Sequence, residues 1–370
     1  MLSLMIKPVS GACNMRCSYC FYLDEMAKRE TASFGLMNNE TASTVISRAF
    51  AYAQRSVCFV FQGGEPTLAE AKFYRRWMET VRRRNPLKLR VQYALQTNGY
   101  FLAEEMLDVL KEGDFLVGVS LDGTKEIHDS RRKSVYGSAT FEQITRNIAE
   151  LRQRGIAFNI LCVVDQTVAS QASQVYEALR RYGYLQFIPC LEPLGKDGGS
   201  VLDPEKYGNF LIELFDCYAR DFLGGRYVSI SLFDNWIRML NSLPPTACGM
   251  NGVCSSNYMV ESNGNVYPCD FYALDEWQLG NLLNDSLFSI AKSVRMKSFL
   301  AGSPAVSDSC RECAWHPLCK GGCKRDRQAC ADDLTDINRL CVGYKIFFES
   351  RHQQLSALAR HPAKNLPRQM

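Results

Sequence analysis

Six short apolar runs separated by longer helical patterns constrain this chain more than any other feature. The runs occupy residues 4–8, 57–61, 90–96, 115–120, 158–164 and 185–189. Each has strand length and is rich in β-branched or other apolar side chains. Helical periodicity fills the gaps at 40–52, 69–84, 103–112, 140–154 and 171–182. Asn38 and Asn39 offer a cap for the first of these helices. Gly113, Gly155 and Gly183 follow three others, where a C-terminal glycine is expected. Strands alternating with helices predict an α/β fold with a parallel sheet. Beyond it we expect a loop at 195–200, a helix over 204–223, a strand over 227–232 and a terminal helix over 334–359. Pro244 and Pro245 break the chain between them.

The 370 residues include sixteen cysteines, seven before residue 248 and nine from there on. The C-terminal third is thus a separate chemical problem. A disulfide framework belongs to secreted chains. The N-terminal apolar run ends at Ile6, too short for a secretory signal. No apolar stretch approaches the ~18 residues of a membrane span. A cytoplasmic chain with reduced thiols is therefore expected, and clustered thiols there bind metal or do chemistry. The net charge of +4 is not the footprint of a nucleic-acid binder. The basic run Arg82-Arg83-Arg84 reads as a solvated helix face.

Cys13, Cys17 and Cys20 form Cys-x3-Cys-x2-Cys just after the first predicted strand. A structural zinc site normally closes with four ligands, and the nearest histidine in sequence is His128. Three thiolates on a 4Fe–4S cluster leave one iron free for another ligand. Barrel enzymes carry their chemistry at the C-terminal ends of parallel strands. The polar and glycine-rich segments fall there: Gly63-Gly64-Glu65-Pro66, Gln96-Thr97-Asn98-Gly99, Ser120-Leu121-Asp122-Gly123 and Cys190-Leu191.

The spacing Cys-x3-Cys-x2-Cys, with Tyr19 before the last cysteine, resembles the signature of radical S-adenosylmethionine (SAM) enzymes. The resemblance implies a partial (β/α)6 barrel. It implies SAM chelated to the free iron, and a 5′-deoxyadenosyl radical made when a reduced cluster cleaves it. Matched residue by residue, Gly64 lies in the segment that holds the SAM amino group. Tyr19 meets the adenine, Ser120 the ribose or methionyl end, and Arg132 pairs with the carboxylate. Leu191 completes the implied SAM contacts.

The C-terminal third reads Cys248-x5-Cys254-x14-Cys269, then Cys310-x2-Cys313-x5-Cys319-x3-Cys323, then Cys341. Eight thiols suffice for two four-ligand sites, and tetrahedral sulfur sites suit zinc and iron–sulfur clusters alike. The pattern is similar to the SPASM extension of some radical SAM enzymes, which implies two auxiliary 4Fe–4S clusters. Cys248, Cys254, Cys269 and Cys323 would hold one; Cys310, Cys313, Cys319 and Cys341 the other. Cys330 lies close enough in sequence to replace one of them. Cys58, Cys162, Cys190 and Cys217 read as small core residues. The implied division is a radical SAM barrel over 1–235 and a SPASM domain with a terminal helix over 236–370.

Segments spread over nearly the whole chain resemble the anaerobic sulfatase-maturating enzymes. They include Ile6-Lys7-Pro8, Phe61-Gln62-Gly63-Gly64-Glu65-Pro66-Thr67, Cys248-Gly249-Met250-Asn251-Gly252, Pro268-Cys269-Asp270-Phe271-Tyr272 and Leu318-Cys319-Lys320-Gly321-Gly322-Cys323. The resemblance implies oxidation of a cysteine or serine to Cα-formylglycine. The target lies in a Cys/Ser-x-Pro-x-Arg segment of an unfolded sulfatase. Asp270 matches the family base, and a flavodoxin- or ferredoxin-type donor would supply electrons. Two other readings stand beside this one. One is a SPASM enzyme forming thioether or other crosslinks on a ribosomal peptide; the other is a zinc-stabilised binding protein.

Overall fold

The computed structural model describes residues 1–194, 201–303, 307–328 and 337–361. The loop expected at 195–200, and Cys330, lie outside them. The strands are β1 (Leu2–Ile6), β2 (Met15–Cys17), β3 (Ser56–Phe61), β4 (Arg90–Thr97), β5 (Leu116–Ser120) and β6 (Arg132–Ser134). They continue with β7 (Phe158–Val164), β8 (Tyr184–Pro189), β9 (Ser229–Ile230), β10 (Tyr258–Val260), β11 (Asn265–Tyr267) and β12 (Gly280–Asn281). The helices used below are α1 (Phe21–Ala27), α2 (Asn39–Tyr52), α3 (Glu70–Arg84), α4 (Glu104–Glu112) and α5 (Phe141–Gln153). After them come α6 (Ala172–Leu179), α7 (Pro204–Leu223), α8 (Ser231–Leu240) and α9 (Cys341–Arg360). Among the described residues no helix is long and apolar enough to cross a membrane.

Two compact units form. The first takes residues 1–121, 128–159 and 256–301; the second takes 122–127 and the described residues of 160–255 and beyond 301. Neither is a continuous piece of chain, so a single cut at residue 235 and the packing are different partitions.

In the first unit the strand order is β12-β11-β10-β1-β3-β4-β5. β1 pairs in parallel with both β3 and β10, while β10–β11 and β11–β12 are antiparallel. Along β3, Val57, Phe59 and Phe61 are buried and the residues between them half-buried, the period of two that a sheet imposes. Helix α3 turns Phe73, Tyr74, Trp77, Met78 and Val81 inward, the helical period on one face. Trp77 meets Phe59 and Phe61 edge-on, with both centroids at 5.2 Å. Arg82, Arg83 and Arg84 close α3, where cations suit the helix dipole. Asn38 caps α2 by accepting from Thr41 N at 2.8 Å.

In the second unit β7, β8 and β9 are parallel neighbours. Helices α7 and α9 pack through glycine: a Cβ on Gly343 would lie 2.4 Å from the Pro204 carbonyl. Trp236 of α8 stacks on Phe347 of α9 at 4.9 Å.

The six strands expected from the sequence all form, within one or two residues of the expected limits. Two later expectations are corrected. Of the strand expected at 227–232 only Ser229–Ile230 forms, and α8 begins at Ser231. Burial of Phe233, Trp236 and Ile237 on one helical face outweighs the β-propensity of that run. The terminal helix starts at Cys341, not 334; residues 337–340 are not helical. Gly155 and Gly183 take left-handed φ of +64° and +85°, whereas Gly113 ends α4 at φ −90°.

Candidate active site

The first unit assembles its site where β1, β3 and β4 end. The chain leaving β1 runs through Cys13 into β2, which carries Cys17. β2 pairs antiparallel with β6, in a register that sets Cys17 opposite Arg132. Arg132 Nη1 donates to the Tyr19 hydroxyl at 2.7 Å, and the Arg131 guanidinium lies 4.6 Å from the Tyr19 ring centre. The structure thus brings Cys17, Tyr19 and Arg132 together.

Gly63 and Gly64 lie just past the end of β3, with φ of +85° and +48°. A Cβ on Gly64 would lie 2.2 Å from the Ala12 carbonyl oxygen, an approach only glycine permits. The next residue, Glu65, donates its N–H to the same Ala12 oxygen at 2.7 Å. Its carboxylate is fully buried and accepts from Thr67 N (3.1 Å), Thr67 Oγ1 (2.7 Å), Thr97 Oγ1 (2.7 Å) and Asn98 N (2.7 Å). Burial pushes this carboxyl up from its usual value, and the four donors pull it back. Glu65 therefore ties the ends of β3 and β4 to the loop before Cys13. Asn98 Nδ2 then reaches Asn14 Oδ1 at 2.8 Å and Cys13 Sγ at 3.7 Å.

Burial raises the Cys13 thiol to about 11, and the nearby Glu65, Cys17 and Cys20 add to the rise. Thiols gathered this way resist ionisation unless a cation shares their charge, so the donor set fits an iron–sulfur cluster.

Asp270 follows Cys269 and starts a tight turn over Asp270–Tyr272. It is buried. Lys7 Nζ lies 2.7 Å from its Oδ1, and Gln62 Nε2 donates to its Oδ2. Ser120 closes β5 in this same unit, whereas Leu191 lies in the second.

The second unit gathers thiols in two groups. Burial raises Cys319 to about 11, with Cys341, Cys310 and Cys313 as charge neighbours. Burial raises Cys323 to about 12, with Asp326, then Cys254 and Cys248, adding. Cys269 belongs to the first unit. Among the described residues no three His, Cys, Asp or Glu groups close on a single metal ion. Cys162, Cys190 and Cys217 are buried and Cys58 is half-buried.

Asn98 entered the sequence reading only within a polar strand-end segment, and Lys7 and Gln62 only within family-matched segments; none of the three was given a role. Their signal was present: each follows directly on an apolar strand, at the end where such sheets place chemistry.

Residues 8–170 match the Radical SAM superfamily, and residues 248–314 match the SPASM iron–sulfur cluster-binding domain. A cysteine-type anaerobic sulfatase-maturating enzyme of Clostridium novyi is 40% identical over 364 residues, which is 97% of each chain. This chain belongs to the anaerobic sulfatase-maturating enzymes. A serine-type maturase of Bacteroides thetaiotaomicron is 29% identical over 94% of this chain and 89% of its own. Among solved structures, native anSMEcpe with bound AdoMet and Cp18Cys peptide matches with a TM-score of 0.92 and 40% identity. That match covers 97% of this chain and 98% of the other. Streptococcus suis SuiB with bound S-adenosylmethionine is 14% identical, with a TM-score of 0.62, over 92% of this chain and 76% of its own. It shares the fold alone. The maturase therefore has the mixed α/β radical SAM fold with a SPASM extension; the alternating pattern predicted the α/β class, and the cysteine-motif resemblance implied the rest.

Proposed function

We infer that this enzyme oxidises a cysteine within a Cys-x-Pro-x-Arg segment of a sulfatase polypeptide to Cα-formylglycine. The observation that carries the reading is 40% identity to cysteine-type maturases over 97% of the chain. When bound, SAM and a reduced 4Fe–4S cluster supply the 5′-deoxyadenosyl radical that removes a Cβ hydrogen.

The chain's own residues divide the remaining work. Cys13, Cys17 and Cys20 hold the SAM-binding cluster. Gly64 leaves its backbone open to the SAM amino group, and Tyr19, Ser120, Arg132 and Leu191 contact the rest. The Arg132 guanidinium suits a carboxylate. Asp270 takes the thiol proton of the substrate, which requires hydrogen-bond reach. Cys248, Cys254, Cys269 and Cys323 hold one auxiliary cluster; Cys310, Cys313, Cys319 and Cys341 hold the second. Functionally the chain divides into a radical-generating part over 1–235 and a cluster-bearing part over 236–370. An electron donor of flavodoxin or ferredoxin type and a cytoplasmic location fit this oxygen-sensitive chemistry.

The test is an anaerobic assay with a short Cys-x-Pro-x-Arg peptide, SAM and a reductant. The expected product carries an aldehyde where the thiol was, read by mass. A crosslinked product, or no turnover by enzyme with its clusters loaded, overturns the reading.

A further inference from the structure

Lys7 directly follows β1 and is fully buried, at 0% exposure. Lysine is almost never fully buried unless it is paired. Here the ammonium has two partners, and the stem is closely packed. Nζ lies 2.7 Å from Asp270 Oδ1. It also lies 3.2 Å from the centre of the Tyr22 ring, a cation–π contact that strengthens when water is excluded. The stem runs against Gly63, where an added Cβ would come within 2.5 Å of Lys7 Cδ.

The Tyr22 ring is itself held from its far end. Its hydroxyl donates to Glu261 Oε1, and Arg29 Nη1 donates to that same oxygen at 2.7 Å. On the other carboxylate oxygen of Asp270, Gln62 donates its amide. One oxygen is thus held by an ammonium and the other by an amide, on residues that immediately follow β1 and β3. The carboxylate can neither rotate nor withdraw without breaking a buried contact.

We propose that Lys7 is a positioning residue for the oxidation. It aims the Asp270 carboxylate so that the substrate's thiol proton passes to Asp270 in step with loss of the Cβ hydrogen. The thiol proton goes from the substrate sulfur to a carboxylate oxygen of Asp270, while the Cβ hydrogen atom goes to the SAM-derived 5′-deoxyadenosyl radical. Lys7 acts through Asp270, and the proposal rests on Asp270 being the base.

The test compares two products from the holoenzyme, 5′-deoxyadenosine released and formylglycine formed, each per enzyme and time, and takes their ratio. Lys7→Met matches the stem and removes the charge. We expect SAM cleavage to continue while formylglycine falls by about 100-fold, the order that a misplacement near 1 Å costs. The KM for the peptide should stay put. Lys7→Arg, which keeps the charge, should recover part of the yield. A merely structural role would lower both products together, and that result overturns the proposal, as does an unchanged ratio. If Lys7→Met fails to assemble its clusters, Lys7→Gln decides: a fallen formylglycine-to-5′-deoxyadenosine ratio supports the proposal, and a wild-type ratio there overturns it. Asp270→Asn run in parallel separates the two ideas. A normal aldehyde yield from it sinks the base assignment, whereas uncoupling in Asp270→Asn but not in Lys7→Met sinks Lys7 alone.

Discussion

The thiol loop after β1 and the C-terminal thiols of the second unit are held in different ways. Around Cys13, Cys17 and Cys20 long-range ties join the local turn bond from Cys20 N to Cys17 O (3.3 Å). Cys17 sits in a strand paired with β6, and Glu65 binds donors from two strand ends. Around Cys310, Cys313 and Cys319 many ties are turn bonds, such as Cys313 N to Cys310 O (3.2 Å) and Gly322 N to Cys319 O (3.0 Å). The helices there are Asp308–Arg311, His316–Cys319 and Lys324–Gln328, too short to stand alone. The buried Arg327 adds a side-chain tie, donating to the Gly322 carbonyl at 2.9 Å. The first loop is thus tied mainly into the sheet, while the second region leans on short turns with fewer distant ties, such as Arg325 Nη2 donating to the Glu192 carbonyl at 2.7 Å, so a group held by its thiols would add to its order.

The sharpest test of this contrast is a pair of substitutions. Cys17→Ala should abolish SAM cleavage yet leave the first unit's protease resistance unchanged. Cys319→Ala should open residues 307–328 to cleavage. Equal loosening in both variants would erase the difference between the regions. Asp270→Asn comes next in size: SAM cleavage persists and formylglycine falls by roughly 10²–10⁴-fold, the usual share of a general base. Removing iron with a chelator should then raise hydrogen exchange across 307–328 while β3 stays protected; exchange rising equally in β3 breaks the contrast.

The smallest effect concerns Glu65. Glu65→Gln puts an amide where only donors point, costing about 1–3 kcal/mol for an unsatisfied buried group, visible as a lower Tm. Burial raises this carboxyl above its ordinary 4.5. Its contribution is therefore complete below that pH and is lost as pH rises through the raised value. A titration of unfolding free energy should show this decline in the parent and not in Glu65→Gln.

Much of this was legible in the sequence, for identifiable reasons. The central strands announce themselves through runs such as Val57–Phe61, because burying a strand demands apolar residues. β10, β11 and β12 went unread: each has two or three residues, shorter than any pattern can register. The cysteine groups were legible because ligand chemistry fixes residue type and spacing. The surroundings of Asp270 were not, since Lys7 and Asp270 meet only through folding. The same is true of Arg29 and Glu261, paired at 2.7 Å across 232 residues of sequence.

The parallel pairing of β1 with β10 also sets a timetable. Leu4 and Ile6 find their partners at Tyr258 and Val260. At about 5–20 residues per second of synthesis, the first strand waits roughly 10–50 s for that neighbour. Until then β1 is an open edge, a template for wrong pairing. Variants that slow translation between residues 7 and 258 should therefore lower the soluble yield without altering the finished enzyme.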